Sequence, residues 1–231
     1  MTIRILQLVE GAREARGLTV IIDVFRAFSV ACYAFGNGAR RVIPVGDLER
    51  AYELKQQDET RLLIGERGGQ KLPGFDFGNS PTDIENVDFS GKTLVQTTSA
   101  GTQGIAAATG ADEILAGSFC NAGALVRHIR ARNPREVSLV CMGRAALEPS
   151  DEDTLCAQFL RDELEGKPTD FAAIKAHLAK YHTAQRFFDP EKHWAPARDF
   201  ELCLALNRFD FVLKLSRGED DLRGLERVTV E

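Results

Sequence analysis

No apolar run in this chain approaches the roughly 20 residues that cross a bilayer, so no membrane association is expected. The N-terminal stretch carries acidic residues and has no small-residue cleavage site behind an apolar core, so a secretory signal is not expected either. There is no CxxC pair and no cluster of cysteine with histidine, which removes the usual zinc frameworks. The five cysteines, Cys32, Cys120, Cys141, Cys156 and Cys203, are odd in number and lie mostly inside apolar patterns. They read as reduced, buried thiols of a cytoplasmic protein. A basic stripe is also missing: the formal net charge is −5 and the cations are scattered among acids, so nucleic acid is not an expected partner.

What is present is an alternation of short apolar runs with helical patterns. "LTVIIDV", "RVIPVG", "RLLIGE", "KTLVQTT", "DEILAGSF" and "EVSLVCMG" read as strands. Helical spacing follows them in "AFSVACYAFGNGA", "DLERAYELKQQ", "AGTQGIAAATG", "NAGALVRHIRARN" and "DEDTLCAQFLRDELEG", with Asn121 as an N-cap. Continuous apolar strands between helices predict an α/β fold with a mostly parallel sheet covered on both faces. After Gly166, "DFAAIKAHLAKYHTAQRFFD" and "ARDFELCLALNRF" predict a helical C-terminal part, and "FDFVLKLS" a late strand. No composition break divides residues 1–231, which are expected to form one domain, with a split into two lobes as the alternative.

The passage "IGERGGQKLPGFDFGNSP" is the oddest in the chain, with five glycines and two prolines around charged residues. It follows a strand, and in open α/β sheets ligands bind beyond the carboxyl ends of strands. Asp23 and Arg26 follow "VIID", Glu66 and Arg67 follow "RLLIG", the turn "TTSAGT" follows "TLVQ", and Glu152 and Asp153 come shortly after "CMGR". These are residue types of phosphate chemistry with a hard metal. Asp23, Glu66, Asp76 and Glu152 (or Asp153) are candidate oxygen ligands for Mg²⁺, of which one or two would bind directly. Arg26 and Arg67 suit phosphate oxygens through forked hydrogen bonds. The turn at Ser99, Ala100, Gly101 and Thr102 offers amides at a helix start, an expected anion seat. Gly69 allows close backbone approach, and Lys71 adds positive charge. Each residue alone also has a structural reading, Asp23 as a helix cap and Glu152 as a partner of the helix dipole. Their joint placement at strand ends favours chemistry.

With "VIIDVFRAFSVACYAFGNGARRVIPV", "IGERGGQKLPGFDFGNSP", "LVQTTSAGTQGI", "LVCMG" with "EDTLCA", and "FELCLALNRFDFV", the chain resembles the 2-phosphosulfolactate phosphatase (ComB) family. The resemblance runs from Leu18 to Val212 and rests on "DVFRA", "GERGG" and "GFDFGNSP" in that order. It implies a three-layer α/β/α fold and a Mg²⁺-dependent phosphatase of coenzyme M biosynthesis. Its substrates would be phosphate monoesters of small 2-hydroxy acids, with (R)-2-phospho-3-sulfolactate giving 3-sulfolactate and phosphate. Catalytic roles would fall to Asp23, Arg26 and Glu66. The chain departs from the family pattern at Ala100 and in "CMGRAALEPSDEDTLCA", which bears on substrate identity more than on phosphatase chemistry.

Within that reading Asp23 is expected as a metal ligand, with a nucleophilic role as the alternative. Two other function classes compete. One is an isochorismatase-like cysteine hydrolase using Cys141; the other is a binding module for anionic small acids. A dehalogenase-type phosphatase fits less well, because Phe25 stands where a second aspartate is wanted. The histidines are expected on the surface. A homodimer is the expected assembly.

Overall fold

The structure is a computed structural model and describes residues 1–218 and 221–230. The first half runs β1 (Thr2–Gln7), α1 (Leu8–Glu14), β2 (Gly17–Ile22), α2 (Ala27–Gly36), β3 (Arg41–Pro44) and α3 (Leu48–Gln57). β4 (Leu62–Arg67), β5 (Gln70–Lys71), α4 (Pro81–Ile84), β6 (Thr93–Thr97) and α5 (Gly101–Ala107) follow. The rest comprises β7 (Ala111–Gly117), α6 (Ala122–Arg132), β8 (Glu136–Cys141), α7 (Asp151–Glu165), α8 (Phe171–Leu178), α9 (Ala197–Cys203), β9 (Phe211–Arg217) and β10 (Arg223–Thr229).

Ten strands form one sheet in the order β1-β8-β2-β7-β9-β10-β3-β6-β4-β5. Two parallel blocks, β1-β8-β2-β7 and β3-β6-β4, flank the antiparallel β9–β10 hairpin. The sheet is thus mostly parallel, as expected. The hairpin is antiparallel to both neighbours, β7 and β3, so the two blocks run in opposite senses. Opposed blocks in a flat sheet would send their carboxyl ends to opposite edges. Right-handed twist offsets this, accumulating roughly 100–125° over the five steps from β2 to β6. The β10–β3 seam is narrow, with Leu225 opposite Val42, so little pairing opposes the rotation. The carboxyl ends of the two blocks consequently meet: the Gly101 amide after β6 donates to Asp23 after β2 at 2.8 Å.

Residues alternate between faces as strand geometry demands. Val20 and Ile22 of β2 pack with Leu125 and Ile129 of α6 and Leu160 of α7, whereas Ile21 packs into the layer holding Phe28 and Phe35 of α2. Ile43, Leu63 and Val95 pack with Ala51 and Leu54 of α3. This is an α/β/α arrangement. Two expectations need correction. The helix expected through Asp189 ends at Leu178, and an irregular stretch with one 3₁₀ turn, Gln185–Phe187, continues to α9. The helical C-terminal part also ends in the β9–β10 hairpin, whose second strand the sequence reading missed. Among the described residues, no helix is long and apolar enough to cross a membrane.

Candidate active site

Asp23 ends β2, where the chain turns towards α2. The Ala27 amide donates to its Oδ1 at 3.0 Å, so the capping role is real. Its Oδ2 accepts from Gly101, so the same carboxylate also ties the two parallel blocks together. On β4, Glu66 is held as firmly. Its Oε1 accepts from the Ser99 amide at 2.8 Å, and its Oε2 from the Gly69 amide at 2.6 Å and Ser99 Oγ at 3.2 Å. From the first turn of α7, Glu152 Oε2 accepts from Thr183 Oγ1 at 2.7 Å. The neighbouring Asp153 accepts from the Val24 amide and from the Gly143 amide, each at 2.8 Å, and fixes the loops after β2 and β8. Glu152 and Asp153 are therefore buried ties between loops, not simple partners of a helix dipole.

Asp23, Glu66 and Glu152 all line one cleft of about 480 Å³. Burial pushes the Asp23 carboxyl up to about 6, with Glu66 and Glu152 adding repulsion while the Ala27 and Gly101 amides pull the other way. Asp153 is pushed well up as well, first by burial and then by Asp23 and Glu152.

Arg26 is almost wholly buried. Its Nη1 donates to Asp199 Oδ2 at 2.6 Å and to the Trp194 carbonyl at 2.7 Å, and its Nη2 reaches the Gly69 carbonyl at 3.3 Å. Asp199 is itself fully buried, and its Oδ1 accepts from Ser80 Oγ, the Thr82 amide and Thr82 Oγ1. The guanidinium is therefore aimed by α9, an element 173 residues away in sequence. Gly69, at φ +86°, is required here: a Cβ would stand 2.4 Å from the Trp194 ring.

Several expectations are corrected by this geometry. The expected anion seat at the start of α5 is already filled by the protein's own carboxylates. Ser99 and Gly101 donate to Glu66 and Asp23, and the Thr102 amide to Thr98 Oγ1. Ser99 and Ala100 line the cleft, whereas Thr102 is fully buried and bonded back to Thr98. Arg67 turns away to Thr97 Oγ1 and the Gly46 and Glu66 carbonyls. Asp76 accepts from the Leu63 amide at 2.7 Å and lies 3.8 Å from Lys55 Nζ. Together with Lys71 it borders a smaller cavity of about 280 Å³ that adjoins the cleft at Gly69, Asn79 and Trp194. His182 lines the main cleft from an exposed position, consistent with a surface histidine, as does the half-buried Arg186, which the sequence does not single out.

Cys141 is buried and outside the cleft lining, and its thiol donates to the Asp153 carbonyl at 3.4 Å. Burial, reinforced by the Asp153 carboxylate, pushes it well above the ordinary thiol range. A thiol held protonated is no nucleophile, so the cysteine-hydrolase reading fails.

Among the described residues, no group of three or more His, Cys, Asp or Glu side chains forms a ready metal cage. Mg²⁺ does not need one, since it uses one or two carboxylates, keeps waters and shares substrate phosphate oxygens. Asp23, Glu66 and Glu152 are hard oxygen donors lining one cleft, and they fit that mode.

A covered α/β sheet whose strand ends deliver buried carboxylates and an anchored arginine to one small cleft defines an enzyme for a small polar substrate. Comparison with known proteins agrees. The family model described as 2-phosphosulpholactate phosphatase matches residues 4–218. A protein named probable 2-phosphosulfolactate phosphatase from Caldanaerobacter subterraneus is 34% identical over 214 residues, covering 86% of this chain and 88% of its own. Proteins of the same name from Caldicellulosiruptor saccharolyticus and Bacillus subtilis are 42% and 30% identical. The first alignment covers 75% of this chain and 73% of the relative, the second 92% of each. The chain belongs to the 2-phosphosulfolactate phosphatase family.

Proposed function

We propose that the chain hydrolyses phosphate monoesters of small 2-hydroxy acids, with (R)-2-phospho-3-sulfolactate as substrate and 3-sulfolactate and phosphate as products. The observation that carries this is the joint lining of one cleft by Asp23, Glu66, Glu152 and Arg26, in a chain of this family. The reading takes Mg²⁺ as cofactor, held directly by one or two of Asp23, Glu66 and Glu152, with waters completing its shell. When bound, it supplies Lewis-acid polarisation of a phosphate oxygen.

The protein's own groups do the rest. Backbone amides orient the Asp23 and Glu66 carboxylates before substrate arrives, so little reorganisation is left for the chemical step. Asp199 holds the Arg26 guanidinium at the cleft wall, where it offsets charge on the transferring phosphoryl group. Water takes the phosphoryl group and the 2-hydroxy acid leaves as the alcohol. Asp23 acts as a ligand rather than a nucleophile. Rapid-quench trapping with labelled substrate checks this, and phosphate covalently bound at Asp23 would reverse the assignment. Five unpaired, buried cysteines support a reducing, cytoplasmic setting. A homodimer remains part of the proposal on general grounds.

The direct test is phosphate release from (R)-2-phospho-3-sulfolactate with Mg²⁺, with and without chelator. Metal-dependent turnover is the expected result. Binding without turnover would favour a module that only holds anionic acids.

A further inference from the structure

Six residues of the cleft wall, His182, Thr183, Gln185, Arg186, Lys192 and Trp194, come from the irregular stretch between α8 and α9. That stretch is tied directly to the catalytic elements. Thr183 holds Glu152, the Trp194 carbonyl holds Arg26, and Arg186 Nη2 donates to the Phe25 carbonyl at 2.8 Å. The stretch is thus tied to the cleft at three residues, twice through side chains and once through its backbone.

Arg186 differs from the other cleft cations. Arg26 is paired with Asp199 at 2.6 Å, Arg144 lies 3.8 Å from Glu148, and Lys192 lies 3.3 Å from Asp189. Among the described residues, Arg186 has no carboxylate within ion-pair distance. Its guanidinium lies over the Phe187 ring, with 5.0 Å between Cζ and the ring centroid. Nε is buried without an acceptor. Leaving such a donor unpaired is costly, more so for a charged group. A guanidinium that lines the cleft with no carboxylate paired to it is suited to an anionic acceptor brought by the ligand.

The ligand class proposed above carries two kinds of negative charge. Its phosphoryl group belongs with the Asp23, Glu66 and Glu152 end of the cleft and the cation held there. The carboxylate and sulfonate on the leaving alcohol need a separate positive partner. We infer that Arg186 is that partner: a specificity-determining residue that selects phosphate esters whose alcohol carries an acid group. This rests on the proposed phosphatase reading and adds to it the residue that reads the leaving group.

The test compares wild type, Arg186→Gln and Arg186→Lys on (R)-2-phospho-3-sulfolactate and on phenyl phosphate, whose alcohol is uncharged. Folding is checked by thermal melting. The ratio of kcat/KM for the acid ester over phenyl phosphate should fall roughly 10- to 100-fold in Arg186→Gln, mainly through KM, with partial retention in Arg186→Lys. An unchanged ratio overturns the inference, whether both substrates suffer equally or neither does. A second arm needs no turnover: calorimetric titration with 3-sulfolactate. Binding by wild type that is lost in Arg186→Gln supports the assignment. Equal binding by the two, or none by wild type, overturns it. Absence of turnover by wild type would instead count against the phosphatase reading, with the titration still deciding the role of Arg186.

Discussion

Asp199 offers the sharpest perturbation. Its Oδ2 receives only Arg26, while its Oδ1 receives Ser80 Oγ, the Thr82 amide and Thr82 Oγ1. Asp199→Ala removes all four contacts and leaves an almost fully buried guanidinium without its counter-charge. Breaking one side of such a buried pair costs about 3–5 kcal/mol. For a chain of this length that corresponds to a drop of roughly 6–20 °C in Tm. Asp199→Asn separates the two sides. Its carbonyl can keep the Ser80 and Thr82 contacts, but its amide would present N–H groups to the Arg26 N–H. Urea unfolding should place Asp199→Asn between wild type and Asp199→Ala, with kcat/KM reduced in both. In an Arg26→Ala/Asp199→Ala cycle the double loss should be smaller than the sum of the single losses. If Asp199→Ala costs less than about 1 kcal/mol, or the two losses simply add, the buried pair does not anchor the site.

Three further outcomes follow from the same geometry. Gly69→Ala forces an L side chain into a left-handed backbone and into the Trp194 ring, so Trp194 must shift. It should lower kcat/KM and cost about 1–2 kcal/mol in unfolding measurements from backbone strain alone; full activity would contradict the close packing. For Asp23, burial raises the folded-state value to about 6, so stability from its protonation is complete below the unfolded value and is lost as pH rises through 6. In chelated protein, the stability of Asp23→Asn relative to wild type should therefore rise by about 3 kcal/mol between acid and neutral pH, whereas a pH-independent difference would refute the burial argument. Cys141→Ala should retain activity in the phosphate-release assay, and its loss would reopen thiol chemistry.

The sequence was most legible where one strand is buried on both faces. "LTVII", "LLIGE" and "TLVQT" read as strands because both sides of each must be apolar, and Asp23 and Glu66 stood out as the polar residues at their ends. β10, "RGLERVT", buries only the adjacent Gly224 and Leu225 and carries charge, so its run is too polar to read as a strand. Its pairing partner also decides that the two blocks oppose each other, a fact with no local signature. The turn at Ser99 reads as a seat for a ligand anion, but its amides are taken by Glu66 and Asp23, which are distant in the chain. Arg67 and Asp76 failed for the same reason: adjacency to a strand end does not say which way a side chain turns. Asp199 and Arg186 sit in ordinary helical or turn sequence, and only the folded chain brings them to Arg26 and Phe25.

The central claim is that carboxylates from separate blocks of the sheet act together on one phosphate ester. The most direct measurement is kcat/KM for (R)-2-phospho-3-sulfolactate, with saturating Mg²⁺, for wild type, Asp23→Asn and Glu66→Gln, each verified as folded by circular dichroism. The expected result is a fall of at least about 100-fold in each variant. Wild-type kcat/KM in either folded variant would contradict it.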